Sequence, residues 1–190
     1  MKTHYILLLI TALFFASCEK AQTPELSADT PEVKASTTIL SHTYQLEEGW
    51  NDISFYLQGE SDNIADILSP IAGKVVICKD LVNVYWPSQG INQINDIDYA
   101  KGFIINVSED CEFTHTGTLV NAEVVLQEGW NLVGVPYDTP QPVGTIYPIS
   151  ANSQNNIVKN AIGGLVYWPY YGIDQIGEAL PGRSYKVHIE

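Results

Sequence analysis

The side chains able to do chemistry are few, and their spacing assembles no familiar centre. His42, His115 and His188 lie far apart along the chain, without the short spacings at which imidazoles share a metal. They are expected to be strand or surface histidines, and no metal site is assigned. Neighbouring carboxylates occur at Glu47-Glu48, Asp96-Ile97-Asp98 and Glu109-Asp110. Acids grouped in loops can ligate Ca²⁺, but none of these has EF-hand spacing; Asp96 and Asp98 read as solvated turn residues, with a calcium site as the alternative. Glycoside hydrolysis needs two carboxyl groups placed across a cleft, which sequence cannot position. There is no Gly-x-Ser-x-Gly elbow, phosphate-binding glycine loop or His-Glu-x-x-His pair. No catalytic residue and no cofactor is therefore assigned, and the chain is read as a non-enzyme.

Aromatic rings are the remaining chemical resource, and they come in matched sets. Trp50 and Trp130 each sit in Glu-Gly-Trp-Asn; Trp86 and Trp168 each sit in Val-Tyr-Trp-Pro. Trp50 and Trp130 follow a tight turn and lead into an amphipathic strand, so they are expected to be structural aromatics packed in a core. Strand alternation sends Tyr85 and Trp86 to opposite faces, so one of them must leave its own sheet's core. In the second copy the run lengthens to Tyr167-Trp168-Pro169-Tyr170-Tyr171, more ring surface than a small core readily hides. Tyr85, Trp86, Tyr167, Trp168, Tyr170 and Tyr171 thus form a candidate ligand or partner patch, with internal packing and contact between modules as the other reading. Flat rings beside loops can stack on sugars or anchor a protein.

The elements that carry these rings are duplicated. Leu46 to Asn51 aligns with Leu126 to Asn131, Ile77-Cys78-Lys79-Asp80 with Ile157-Val158-Lys159-Asn160, and Gly90 to Ile94 with Gly172 to Ile176. Lys101-Gly102-Phe103 matches Arg183-Ser184-Tyr185. The only change of spacing falls between Asp80 and Val84, matched by a longer turn before Val166, where a folded repeat tolerates insertion.

Within a copy, Ile53, Phe55 and Leu57 alternate with Asp52, Ser54 and Tyr56, predicting a strand with one buried and one wetter face. Leu46 and Trp50 bracket a three-residue segment ending in Gly49, the composition of a hairpin loop. Val75 to Cys78 reads as a more buried strand, turning at Asp80 to Asn83 into Val84-Tyr85-Trp86 and stopping at Pro87. Gly102 to Val107, Tyr185 to Ile189 and Cys111 to Leu119 complete the strands, with Cys111, Phe113 and His115 on one side. Ile64 to Leu68 and Val143 to Tyr147 are the helix candidates. The fold class is mostly β: two homologous small modules, sandwich- or barrel-like, in tandem with pseudo-symmetry. Residues 39–120 form the first module and 121–190 the second, joined by Thr114 to Val125. Each copy alone would be marginal, so the two are expected to gain stability by pressing together, with or without one shared core.

The N-terminus is a separate matter. Lys2, the apolar run Tyr5 to Phe15 and Phe15-Ala16-Ser17-Cys18 resemble a bacterial lipoprotein signal peptide over residues 1–17, which implies cleavage and lipidation of Cys18. An acylated cysteine would anchor the protein to a membrane. Residues 18–38, rich in Pro, Glu, Ser and Thr, read as a flexible tether. The net charge of −13 disfavours nucleic acid and anionic membranes as partners. The expected place is the cell envelope, lipid-anchored at the outer membrane, on its surface or periplasmic face. That compartment could oxidise Cys78 and Cys111 to a disulfide; against it, Cys78 takes the place of Val158, a core position, which leaves two buried thiols as the other outcome.

The ordered set Gly-Trp-Asn, Ile-x-Lys-Asp/Asn, Tyr-Trp-Pro, Gly-Ile-x-x-Ile and Lys/Arg-Gly/Ser-Phe/Tyr, over residues 40 to 190, resembles a tandem repeat of secreted and cell-surface proteins of Bacteroidota. The resemblance implies an envelope location and carries no activity. The expected function is structural or protein contact by duplicated β modules; a carbohydrate-binding accessory module is the alternative, and a glycan-active enzyme a distant one.

Overall fold

The structure is a computed structural model that describes residues 38–190. The expected signal peptide, Cys18 and all but the last residue of the tether lie outside the described residues. No helix among the described residues is long and apolar enough to cross a membrane.

The first module runs β1 (Leu40–Leu46), β2 (Gly49–Ser54), β3 (Leu57–Gln58), the short helix α1 (Ile64–Ile67), β4 (Val75–Lys79), β5 (Val84–Trp86), β6 (Ile91–Asn92), β7 (Gly102–Val107) and β8 (Cys111–Leu119). The second runs β9 (Gly129–Gly134), β10 (Gln141–Pro142), α2 (Val143–Ile146), β11 (Ile157–Asn160), β12 (Val166–Trp168), β13 (Ile173–Asp174), β14 (Glu178–Ala179) and β15 (Ser184–Ile189). The chain is mostly β, as its alternation predicts. Each module has a five-stranded antiparallel sheet, and the two orders correspond: β2-β7-β4-β5-β6 and β9-β15-β11-β12-β13. Both helix candidates form.

In the first module the five-stranded sheet shares a core with the three-stranded sheet β1-β8-β3. Ile53, Phe103, Ile105, Val107, Cys78 and Tyr85 meet Tyr44, Leu46 and Phe113 from that sheet. The second module has no matching three-stranded sheet among the described residues. Val124 and Leu126, at the positions of Tyr44 and Leu46, still pack on the core of Val133, Val135, Val158, Tyr185 and Val187, but without strand pairing and only half-buried.

Gly49 and Gly129 do take positive φ (96° and 88°), the backbone that glycine permits. Yet the turn is not a hairpin, because β1 pairs with β8 and β2 with β7. The joining segment is shorter than Thr114 to Val125, since β8 extends to Leu119. Val76 is exposed, because the β4–β7 register shifts between Val75 and Ile77. Nor are Asp52 and Ser54 on a wet stretch of β2: both are buried along with Ile53, and only the Trp50 end of that face is exposed.

The second module buries them. Both modules belong to one compact unit, and the outer faces of the two large sheets meet along β2–β7 and β9–β15. Ser54 N donates to Gly182 O at 2.9 Å, and Gly134 N to Ala100 O at 3.0 Å. By the repeat register Ser54 corresponds to Gly134 and Ala100 to Gly182, so exchanging the modules exchanges the two bonds. This is the contact pattern of a local twofold rather than a translation.

Side chains follow the same rule, with sizes traded across it. A Cβ on Gly134 would lie 2.7 Å from Ser54 Cβ, and one on Gly102 would lie 2.3 Å from Ser184 Cβ. Where one copy has serine, its counterpart must be glycine. The hydroxyls then bond across: Ser54 Oγ donates to Arg183 O (2.6 Å) and Ser184 Oγ to Phe103 O (3.1 Å).

Two unlike contacts flank this pair. On one side Ile104, Leu132 and Ala161 form an apolar cluster. On the other, Arg183 donates to both carboxylate oxygens of Asp52 (2.7 and 3.1 Å), and the Ser184 amide donates to the same carboxylate at 3.0 Å. Burial pushes the Asp52 carboxyl above its usual range; the Ser184 amide and the guanidinium offset part of that.

Removing Arg183 leaves the Asp52 carboxylate, only 2% exposed, without its counter-ion. Because Arg183 itself is half in water and the Ser184 bond survives, Arg183→Ala should cost about 2 kcal/mol, less than the roughly 3–5 of a fully buried pair. Denaturant unfolding measures this. Lys101→Ala, at the corresponding position of the first module, should change stability by less than about 0.5 kcal/mol.

Candidate functional site

The two repeat motifs are turn devices that aim a tryptophan outward. Asn51 Oδ1 accepts from Glu47 N (3.0 Å), and Asn51 Nδ2 donates to Glu47 O (2.7 Å) and Gly49 O (3.2 Å). Asn131 repeats this with Gln127 N (2.8 Å), Gln127 O (2.7 Å) and Gly129 O (3.1 Å). The asparagine clamps the turn, the glycine supplies its backbone, and the tryptophan between them faces away from the core. Trp50 is 46% and Trp130 51% exposed, which corrects their assignment as core aromatics. The reason is strand parity: Ile53 faces the core, and Trp50, an odd step away, takes the opposite face.

Tyr-Trp-Pro works the same way. Tyr85 belongs to the first core, and Tyr167 packs half-buried on the second. These two therefore leave the candidate patch; their partners Trp86 and Trp168 project from the outer face. The proline begins a short 3₁₀ turn in each copy, Pro87–Gln89 and Pro169–Tyr171. That second turn carries Tyr170 and Tyr171, both exposed.

Sheet register places the two tryptophans of each module on one face. In the second module Trp130 pairs with His188, His188 with Ile157, Lys186 with Lys159, and Trp168 with Ile173. Trp130, Ile157, Lys159, Trp168 and His188 line a cleft of about 430 Å³. Its walls are held in place. Trp168 Nε1 donates to Gln154 O (2.8 Å), and the Trp168 ring meets Tyr171 edge-on at 4.7 Å. Tyr171 in turn meets Tyr170 at 4.9 Å. His188 lies 5.0 Å from Trp130, and its Nδ1 is 2.8 Å from Asn155 O. The first module presents Trp50, Ile77, Lys79, Asn106 and Trp86 in the same arrangement, but Lys79 Nζ already sits 5.0 Å above the Trp50 ring.

Lys79 and Lys159 are site residues that the aromatic pattern alone does not mark. Their signal was available, because Ile-x-Lys belongs to the repeat, and its alternation sets isoleucine and lysine on the face opposite Cys78 and Val158.

Other chemistry-bearing residues lie apart from this face. Among the described residues, no three His, Cys, Asp or Glu side chains gather where a metal could be held. Asp98 caps its own turn, accepting from Ala100 N (3.0 Å), and Asp110 accepts from Glu48 N (2.8 Å). Cys78 and Cys111 are both free thiols, so the disulfide is not formed. Cys78 is fully buried in the core, where desolvation pushes its pKa far up, while Cys111 is half-buried at the start of β8.

The fold does gather two histidines. His42 and His115 oppose each other across β1 and β8. His115 Nε2 is 2.9 Å from Leu57 O, and His42 Nδ1 is 2.9 Å from Tyr56 Oη.

No family model matches the chain, and neither does any curated protein or solved structure.

Burial pulls both imidazoles below the ordinary histidine value of 6.5; repulsion from His115 adds to this at His42, and the Leu57 bond opposes it at His115. The unfolded chain binds these protons near 6.5 and the folded protein does not. Their contribution is therefore complete above that pH and is lost as pH falls through 6.5 toward the lower folded values. Thermal scans between about pH 7.5 and 5 should show a falling midpoint, and His115→Gln should flatten that slope.

Proposed function

We propose that this chain is a non-enzymatic cell-envelope lipoprotein whose outer sheet faces bind saccharide. The observation that carries the reading is the placement of all four tryptophans. Each stands at a repeat position on the solvent-facing side of its sheet; Trp50 and Trp130 follow an asparagine-clamped turn, and Trp168 is held by its bond to Gln154 O. A ring needed only for stability would face the core. A ring presented flat and held still can stack on a sugar face at little entropic cost, since few rotamers are lost on binding. The cleft beside Trp130 and Trp168 adds Lys159, His188 and the Asn155 and Gln154 backbone as hydrogen-bonding groups, the mixture of ring and polar contact that a hydroxylated ligand requires.

Envelope anchoring through Cys18 and the Bacteroidota repeat resemblance belong to the same reading. A lipid-anchored binding module keeps a captured glycan at the cell boundary. Protein contact is the second reading, favoured by one specific feature: the turn residues Leu81 and Val82, 53% and 84% exposed, share a cleft with Trp130, Val124 and Val125. A protein surface can fill such an apolar cleft; a sugar has less to gain there.

A saccharide panel separates the two. Wild type should bind at least one member, and Trp168→Ala should weaken that binding by about tenfold or more while leaving the unfolding transition in place, as the loss of one stacking platform of about 1.4 kcal/mol or more requires. Val82→Asp should leave saccharide binding unchanged; wild type that binds no member of the panel would favour the protein-contact reading. For the anchor, Cys18→Ser should abolish fatty-acid labelling and move the protein from the membrane fraction to the soluble one.

A further inference from the structure

We infer that the saccharide held by the second module is anionic, recognised by the Lys159 and Lys186 ammonium groups beside the Trp130 and Trp168 platforms. This deepens the saccharide reading and rests on it. Cations are scarce in a chain of net charge −13, and their placement is uneven. Among the described residues there are three ion pairs: Lys74 with Glu109, Lys101 with Asp98, and Arg183 with Asp52. The lysines outside those pairs are Lys79, Lys159 and Lys186, and all three lie on the outer sheet faces with the tryptophans. An acidic protein has carboxylates to spare, yet among the described residues none lies within ion-pair distance of these three.

Lys159 and Lys186 are direct partners across β11 and β15. Side chains at such positions have Cβ atoms roughly 4.5–5.5 Å apart, and like charges there repel. Both are half-buried, so water screens them less than it would on an open surface. A carboxylate or sulfate between the two ammonium groups would turn the repulsion into two charge-assisted hydrogen bonds. In the first module the corresponding pair is Lys79 opposite Ile104, which belongs to the apolar inter-module cluster, and Lys79 is turned onto Trp50. The paired charge is therefore specific to the second face. The cleft lined by Trp130, Lys159, Trp168 and His188 adjoins it, so one ligand can use ring stacking and charge together.

The test uses the full chain purified in detergent, with oligogalacturonate, oligoguluronate and chondroitin sulfate oligosaccharides against neutral cello-, xylo- and manno-oligosaccharides. Binding of an anionic member is expected, weakened about tenfold or more by Lys159→Gln with Lys186→Gln, retained in Lys186→Arg, and weakened by Trp168→Ala. It should also weaken severalfold as NaCl rises from about 0.05 to 0.5 M. The double glutamine variant should unfold at the same or a higher temperature than wild type, because it loses a like-charge pair; that reading separates lost recognition from lost folding. Binding confined to neutral members, or indifferent to both lysines, overturns this inference and leaves the saccharide reading standing. Anionic binding that survives Trp168→Ala and Trp130→Ala is charge attraction alone and also overturns it. Binding to no member overturns both.

Discussion

The structure depends on two outer sheet faces pressed together at one end and left open at the other. What holds the closed end is a set of contacts too close for ordinary side chains. Ser54 stands against Gly134 and Ser184 against Gly102, so the backbones approach near enough to exchange hydrogen bonds. The Asp52–Arg183 pair and the Ile104–Leu132–Ala161 cluster seal the flanks. Dispersion, hydrogen bonding and a counter-ion act there together, and each requires the others' geometry.

That clamp also explains the open end. The residues of each outer face alternate along the same strands, so burying Asp52, Ser54, Leu132 and Gly134 fixes where Trp50 and Trp130 stand. The tryptophans cannot turn inward without turning Asp52 or Leu132 out of the interface. Stability and display are thus coupled through strand parity: the same β2 and β9 that join the modules present the rings.

The two copies differ in what they cover and in what they display. The first buries its inner face under a second sheet and covers Trp50 with Lys79. The second lacks that sheet, adds Tyr170 and Tyr171 beside Trp168, and places Lys186 where the first has Ile104. One copy is better packed, and the other has more free ring and more uncompensated charge on its outer face.

Much of this was legible in the residues. Duplication, the strands at Gly102 to Val107 and Cys111 to Leu119, the turn at Asp80 to Asn83 and the two short helices all follow from local patterns: alternation, turn chemistry and repeat register. The split between Tyr85 and Trp86 follows from alternation as well. Parity also placed Trp50 opposite Ile53, but the aromatic character of the ring argued for burial and hid that signal. Other features carried no local trace. That β1 pairs with β8 rather than β2, that Asp52 and Ser54 are buried, that Cys78 and Cys111 stay apart, and that Lys159 opposes Lys186 are all long-range facts. A period of two tells a strand it has two faces; only the element packed against each face decides which is dry. The sequence by itself determined the module, its repeat and its two-faced strands. Tertiary structure decided which faces meet, because burial depends on a partner far along the chain that no local pattern names.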